Sequence, residues 1–217
     1  MARPRKDDHG PSARARIEEA FWKLLEQKDY DGITVSALAR TACVSPNTIY
    51  YHYANIEAVA RSAFDENLVK ELPALILRES GAAFERVISY DMESIDERSK
   101  RIIAFASSES GLLRSIVVDS FMEMWLKAIE INPLDLSFDE RVRMEFIANG
   151  ATSALGNMKG VDFFEFSPLF FNSPLGKGVI AEMKAIKQRH DEQKSKVPPE
   201  THPIKPQGRR GGRPDWR

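Results

Sequence analysis

Residues 34–53 read Thr34-Val35-Ser36-Ala37-Leu38-Ala39-Arg40-Thr41-Ala42-Cys43-Val44-Ser45-Pro46-Asn47-Thr48-Ile49-Tyr50-Tyr51-His52-Tyr53. Thr34 is a side-chain cap, and Val35, Leu38, Ala39 and Ala42 follow it as one apolar stripe at helical spacing. Residues 43–46 interrupt that short helix. Ser45 before Pro46 then starts another: the hydroxyl accepts from free amides, and proline at the first helical position gives up no needed hydrogen bond. Two short helices joined by a tight turn are the parts of a helix-turn-helix.

The second helix has two kinds of face. Ile49 and Tyr53, four apart, turn inward with Val44. Pro46, Asn47, Thr48, Tyr50, Tyr51 and His52 are left outside, where their amides, hydroxyls and ring nitrogens suit phosphates or base edges. The helix N-terminus favours a phosphate as well, so the caps Thr34 and Ser45 join the DNA-facing set. The plain alternative is a solvated corner of a helical bundle. It leaves Tyr50, Tyr51, His52 and Tyr53 unexplained, because four rings in a row cannot all be buried on one helix face.

Outward from this unit the pattern stays helical. Ser12 caps a helix carrying Ile17, Ala20, Phe21, Leu24 and Leu25, expected to end near Lys28 before the turn residues 29–32. A fourth helix is expected from about Asn55 through Val59, Ala63 and Phe64 towards Leu72, with Pro73 as a kink or an end. Further helical periods cover Phe84 to Tyr90, Ile102 to Phe105, and residues 112–131, 138–158 and 179–193. Residues 162–178, rich in aromatics and holding Pro168 and Pro174, read as an irregular connection or lid. No run alternates with period two, so the fold class is all-α.

Composition narrows the function. The chain has 217 residues and 31 Lys+Arg against 32 Asp+Glu, so a nucleic-acid binder must concentrate its positive charge locally. It does so at the ends. Arg3, Arg5 and Lys6 lie in a polar arm before the first helix, placed to enter a minor groove or lie on phosphates. Lys205, Arg209, Arg210, Arg213 and Arg217 lie in a Pro- and Gly-rich tail, read as solubilising. The single cysteine, Cys43, rules out an intrachain disulfide and a cysteine-based zinc site; it reads as a small core residue, and a cytoplasmic location follows. No stretch of about 18 apolar residues suggests a membrane span. None of the four histidines has a metal-type partner at helical spacing, and no phosphate-cradling glycine loop occurs. Neither an enzyme nor a cofactor is expected.

Residues 32–59, from Gly32-Ile33-Thr34-Val35 through Pro46-Asn47-Thr48-Ile49-Tyr50-Tyr51-His52-Tyr53 to Ala58-Val59, resemble the DNA-binding segment of the TetR family of repressors. The resemblance covers roughly residues 12–70. It implies a cytoplasmic homodimer with two N-terminal reading heads on a palindromic operator, and a C-terminal helical domain that pairs subunits and binds a small effector. It implies DNA contacts for Thr48, Tyr50 and His52, base reading for Pro46 and Asn47, and a backbone or base contact for Ser36, with Arg40 also on helix two. Three positions depart from the family. Cys43 stands where a turn glycine is usual, Asn47 where a small residue is common, and Ile56 where a phosphate-binding lysine is usual. They motivate the competing reading, a helical protein of the same build that has lost specific DNA binding and acts through protein contacts.

The expected organisation is a basic arm over 1–11, a helix-turn-helix DNA-binding domain over 12–56, an effector-binding and dimerisation domain over 57–196, and a disordered basic tail over 197–217. Effector contacts are expected at Phe105, Phe121 and Trp125, the last two on one helix face. The dimer helices are expected at 138–158 and 179–193, with Ala148, Ala151 and Leu155 as a close-packing face.

Overall fold

The computed structural model describes residues 11–79, 92–158 and 169–196. Those residues form helices and no strand: α1 Ala13–Leu25, α2 Val35–Thr41, α3 Pro46–His52, α4 Ile56–Asp65, α5 Leu72–Glu79, α6 Met92–Ala106, α7 Gly111–Ala128, α8 Phe138–Gly156 and α9 Pro174–Lys196. The all-α class holds.

Local chemistry sets the helix starts. The Ser12 hydroxyl accepts from Ala15 N at 3.2 Å, Thr34 from Ala37 N at 3.2 Å, Ser45 from Thr48 N at 3.1 Å and the Asn55 carbonyl from Ala58 N at 2.8 Å. Each satisfies an amide that the first turn leaves without a helical partner. Ser137 and Glu140 close a reciprocal capping box on α8.

Three boundaries differ from the sequence reading. The fourth helix stops at Asp65, and Pro73 is the second residue of α5, a first-turn position where its missing N–H costs nothing. The final helix is longer than residues 179–193 and takes in Pro174 at its first position, so the irregular connection ends by Ser173. The expected helix over Phe84 to Tyr90, the N-terminal arm, the front part of the 162–178 connection and the basic tail fall outside the described residues.

Two apolar cores hold the molecule. The first joins Ile17, Phe21, Leu38, Ile49, Val59 and Phe64 of α1 to α4 with Phe105 at the end of α6 and Leu113, Ile116 and Val117 of α7. By packing, then, α4 belongs with the helices before it. The second joins Ile76 of α5, Trp125 and Leu126 of α7, Met144 of α8, and Met183 and Ile186 of α9. Gly156 marks a close approach of α8 to the end of α6: a Cβ there would lie 2.6 Å from the carbonyl oxygen of Ala106.

Phe105, expected to line an effector pocket, is fully buried between the two halves of the protein. Its ring centroid lies 4.8 Å from that of Phe64, 5.0 Å from Trp22 and 6.1 Å from Phe21. The corrected role is a packing joint, because close-packed rings leave no space for a ligand. Phe121 and Trp125, 6.0 Å apart, do share a helix face, and Trp125 is buried in the second core with Phe121 packed against it.

Candidate nucleic-acid interface

The first three helices and α4 build a head around α3. Ile49, 1% exposed, anchors α3 in the first core, while Tyr50 and Tyr51 are 58% and 84% exposed. Tyr53, at the C-cap, is buried, and Val44 in the turn packs against the same core. The helix is thus held on one side and bare on the other. Burying a side chain such as Ile49 stabilises by about 1.5–3 kcal/mol. Leaving two tyrosines in water gains nothing for folding and suits a binding surface.

The outward set is largely as the spacing implies. Pro46, Asn47, Tyr50, Tyr51 and His52 are exposed, and Thr48 is half-buried with its hydroxyl 2.8 Å from that of Ser45. The Tyr51 and His52 rings meet edge to face at 5.0 Å. On α2, Thr34 and Ser36 are exposed at the helix start, and Arg40 is exposed in its last turn. Arg3, Arg5 and Lys6 lie outside the described residues.

The turn before α3 carries backbone strain. Cys43 has φ of 53°, the left-handed region, and Val44 N then donates to Ala39 O at 3.0 Å to close the turn. Expected as a small core residue, Cys43 is instead exposed: a left-handed residue in a tight turn directs its side chain away from the packed helices.

One cluster was not legible in the sequence. The carboxylate oxygen Oε1 of Glu18 on α1 accepts from the Tyr53 hydroxyl at 2.6 Å, from the Ser62 hydroxyl on α4 at 2.6 Å and from Arg14 Nε at 3.2 Å. Arg14 Nη2 also donates to Ser62 Oγ at 2.6 Å, and its guanidinium lies 5.9 Å from the Tyr53 ring centroid. Burial, then the bond to Glu18, pushes the Tyr53 hydroxyl up to about 12. The node ties the end of α3 to both α1 and α4. The only sequence hint was a tyrosine, rather than a pure hydrocarbon, at an inward position.

Two polar links join the head to the rest of the chain. Arg61 on α4 pairs with Asp119 on α7 at 3.0 Å. Arg101 on α6 pairs with Glu19 on α1 at 3.1 Å and stacks over Trp22 at 5.2 Å. Exposed pairs add little stability, but together with Phe105 they fix how the head sits.

A propped helix, bare on its groove-facing side and preceded by a second short helix across a tight turn, defines a helix-turn-helix DNA-binding protein. Residues 17–63 match the model of the bacterial regulatory proteins, tetR family, so the helix-turn-helix head is similar to the DNA-binding segment of that family. Among solved structures, the chain is similar to the TetR family repressor AlkX from Dietzia sp. strain DQ12-45-1b, implicated in biodegradation of n-alkanes. The likeness has 14% sequence identity and a TM-score of 0.33, over 83% of this chain and 96% of that one. No curated protein matches. The family match covers α1 to α4 alone.

Among the described residues no helix is long and apolar enough to cross a membrane, and no group of His, Cys, Asp and Glu is placed to hold a metal ion.

Proposed function

We propose that the protein is a sequence-specific, homodimeric repressor that leaves a palindromic operator when a small-molecule effector binds. The observation that carries this reading is the contrast on α3 between buried Ile49 and exposed Tyr50 and Tyr51. In the proposal, Asn47, Tyr50, Tyr51 and His52 meet the duplex in the major groove with Pro46 and Thr48. Thr34, Ser36 and Ser45 contact backbone at two helix starts, and the arm residues Arg3, Arg5 and Lys6 add charge. The reading head, expected over residues 12–56, takes in the rest of α4 as well because that helix shares its core, and the residues beyond α4 sense and dimerise.

The recognition helix bears no lysine or arginine. Phosphate affinity therefore falls to its neighbours, and exposed Arg14, Arg16 and Arg40 supply it within the described residues.

Pairing of two subunits has a candidate surface. Phe138 and Phe146 on α8 are 82% and 80% exposed, and Val142 between them is exposed too. Spaced at four residues, they form one apolar stripe that lacks a partner within the described subunit. The small-residue face expected for pairing is covered within the subunit. Ala148 is fully buried on the opposite side with Met144 and Thr152, and Ala151 and Leu155 are half-buried, because that side of α8 packs on its own subunit. The dimer face is assigned instead to Phe138, Val142 and Phe146. Two heads carried by such a pair read together when about 34–36 Å apart, one helical turn of DNA.

A fluorescence-anisotropy titration against the DNA upstream of the protein's own gene tests the reading. Nanomolar, salt-sensitive binding that random DNA does not match supports it. Equal affinity for random DNA would favour the reading in which specific recognition is lost.

A further inference from the structure

The middle of α7 and the C-terminal half of α8 face each other across a cleft of about 550 Å³. Packed helices normally meet through apolar side chains. This seam is polar. Arg114, Ser115 and Asp119 line it from α7, and Asn149 and Thr152 from α8 with Asn157 at its C-cap.

The hydrogen bonds already made in the seam dictate what it lacks. The Ser115 hydroxyl donates to Leu112 O at 2.8 Å and the Thr152 hydroxyl to Ala148 O at 2.9 Å. The Asn149 and Asn157 amides donate to Glu145 O at 2.8 Å and Ser153 O at 3.0 Å. The Ser115 and Thr152 hydroxyls spend their one donor on their own helix and leave acceptor oxygens for a visitor, and Asn149 and Asn157 each keep the amide oxygen with one N–H. The exposed guanidinium of Arg114 has no ion-pair or hydrogen-bond partner among the described residues. Asp119 is already neutralised by Arg61. The complement of one open cation beside several acceptor oxygens is an anion that also carries hydroxyl donors.

We infer that this α7–α8 cleft is a binding site for a small hydroxylated anion, a polyhydroxy carboxylate or a sugar phosphate, whose charge is taken by Arg114. A monosaccharide-sized ligand fits the volume. Its position couples it to DNA. Asp119, on the rim, holds Arg61 of α4, the helix that packs with the reading head. An anion beside Arg114 changes the field at the Asp119–Arg61 pair and so biases how α4 sits. That the ligand acts as an effector rests on the regulator reading; that it binds does not.

Isothermal titration of the full chain with gluconate, glucose 6-phosphate, inorganic phosphate and glucose tests the site. One saturable anion per subunit is expected, with at least one of the hydroxylated anions tighter than phosphate and glucose; which of the two binds names the carboxylate or the phosphate source. Arg114→Ala, at an exposed residue without a partner, weakens that anion at least tenfold. Ser153→Tyr, an exposed lining position, blocks the cleft by bulk alone. Arg61→Gln, outside the cleft lining, keeps anion binding but removes the anion's effect on operator affinity. No saturable binding by any anion at millimolar concentration, or binding untouched by both Arg114→Ala and Ser153→Tyr, overturns the site. An anion that binds yet leaves operator affinity unchanged overturns the effector role. DNA binding without anion binding leaves the regulator reading standing and sinks this site, and anion binding without DNA binding does the reverse.

Discussion

The Tyr53 hydroxyl, at the end of the recognition helix, donates to the Glu18 carboxylate on α1 at 2.6 Å. The same carboxylate oxygen takes the Ser62 hydroxyl of α4, also at 2.6 Å. The angle at which α3 is presented therefore depends on a polar node as well as on the packing of Ile49.

Tyr53→Phe keeps the buried ring and deletes one hydrogen bond to a charged acceptor. A loss of about 1.5–3 kcal/mol is expected, read as a lower urea midpoint. A pH titration gives a second measure. The hydroxyl is pushed up from an ordinary 10 to about 12, first by burial and then by the bond to Glu18. A folded value above the unfolded one contributes stability that is intact below pH 10 and lost as pH rises towards 12. The variant should lose that alkaline slope.

Cys43 holds φ of 53° with its side chain exposed. A left-handed conformation costs a residue with a Cβ roughly 1–2 kcal/mol, which glycine avoids while losing about half of that to chain entropy. Cys43→Gly is expected to stabilise the head by about 0.5–1 kcal/mol, with a thermal midpoint a few degrees higher. A lower midpoint would mean that the thiol makes a contact of greater worth than its 3.9 Å approach to Arg40 O.

Glu140 governs the acid limb of stability. Burial alone would push its carboxyl up. The Ser137 backbone N–H, His190, the Ser137 hydroxyl and Arg189 outweigh burial and hold it down to about 2. A depressed carboxyl contributes stability that is present above its ordinary 4.5 and fades as pH falls from there towards 2. Glu140→Gln should be less stable at pH 7 by roughly 3 kcal/mol, with a flatter decline between pH 4.5 and 2. Urea unfolding across that range checks both.

Phe146 is 80% exposed at the C-terminal end of the α8 stripe. Phe146→Glu places a charge where two subunits would meet and removes nothing from either core. Sedimentation velocity should show the parent as a dimer and the variant as a folded monomer. A parent that sediments as a monomer would remove the dimer from the proposal.

The head was legible because its signals are local. Ser12, Thr34 and Ser45 each cap the helix that follows, and the four-residue spacing of Ile49 and Tyr53 fixes which side of α3 is buried. Long-range packing was not legible in the same way. Nothing near Phe105 in sequence says that its ring lies against Phe64 and Trp22, so it read equally well as a pocket wall. The small residues of α8 read as a place for a partner helix, yet Ala148 faces inward because neighbouring helices of the same subunit need that space. The Glu18 node joins residues 35 and 44 positions apart, beyond any local pattern.

Tyr50 is 58% exposed on a helix whose other side is locked into the core. Titrating the full chain and Tyr50→Ala against the upstream DNA by fluorescence anisotropy at low and physiological salt examines that arrangement most directly. The expected result is tight, salt-dependent binding by the parent and at least tenfold weaker binding by a variant with an unchanged thermal midpoint. Equal affinities for the two proteins, or no discrimination between upstream and random DNA, would mean that α3 does not read the duplex.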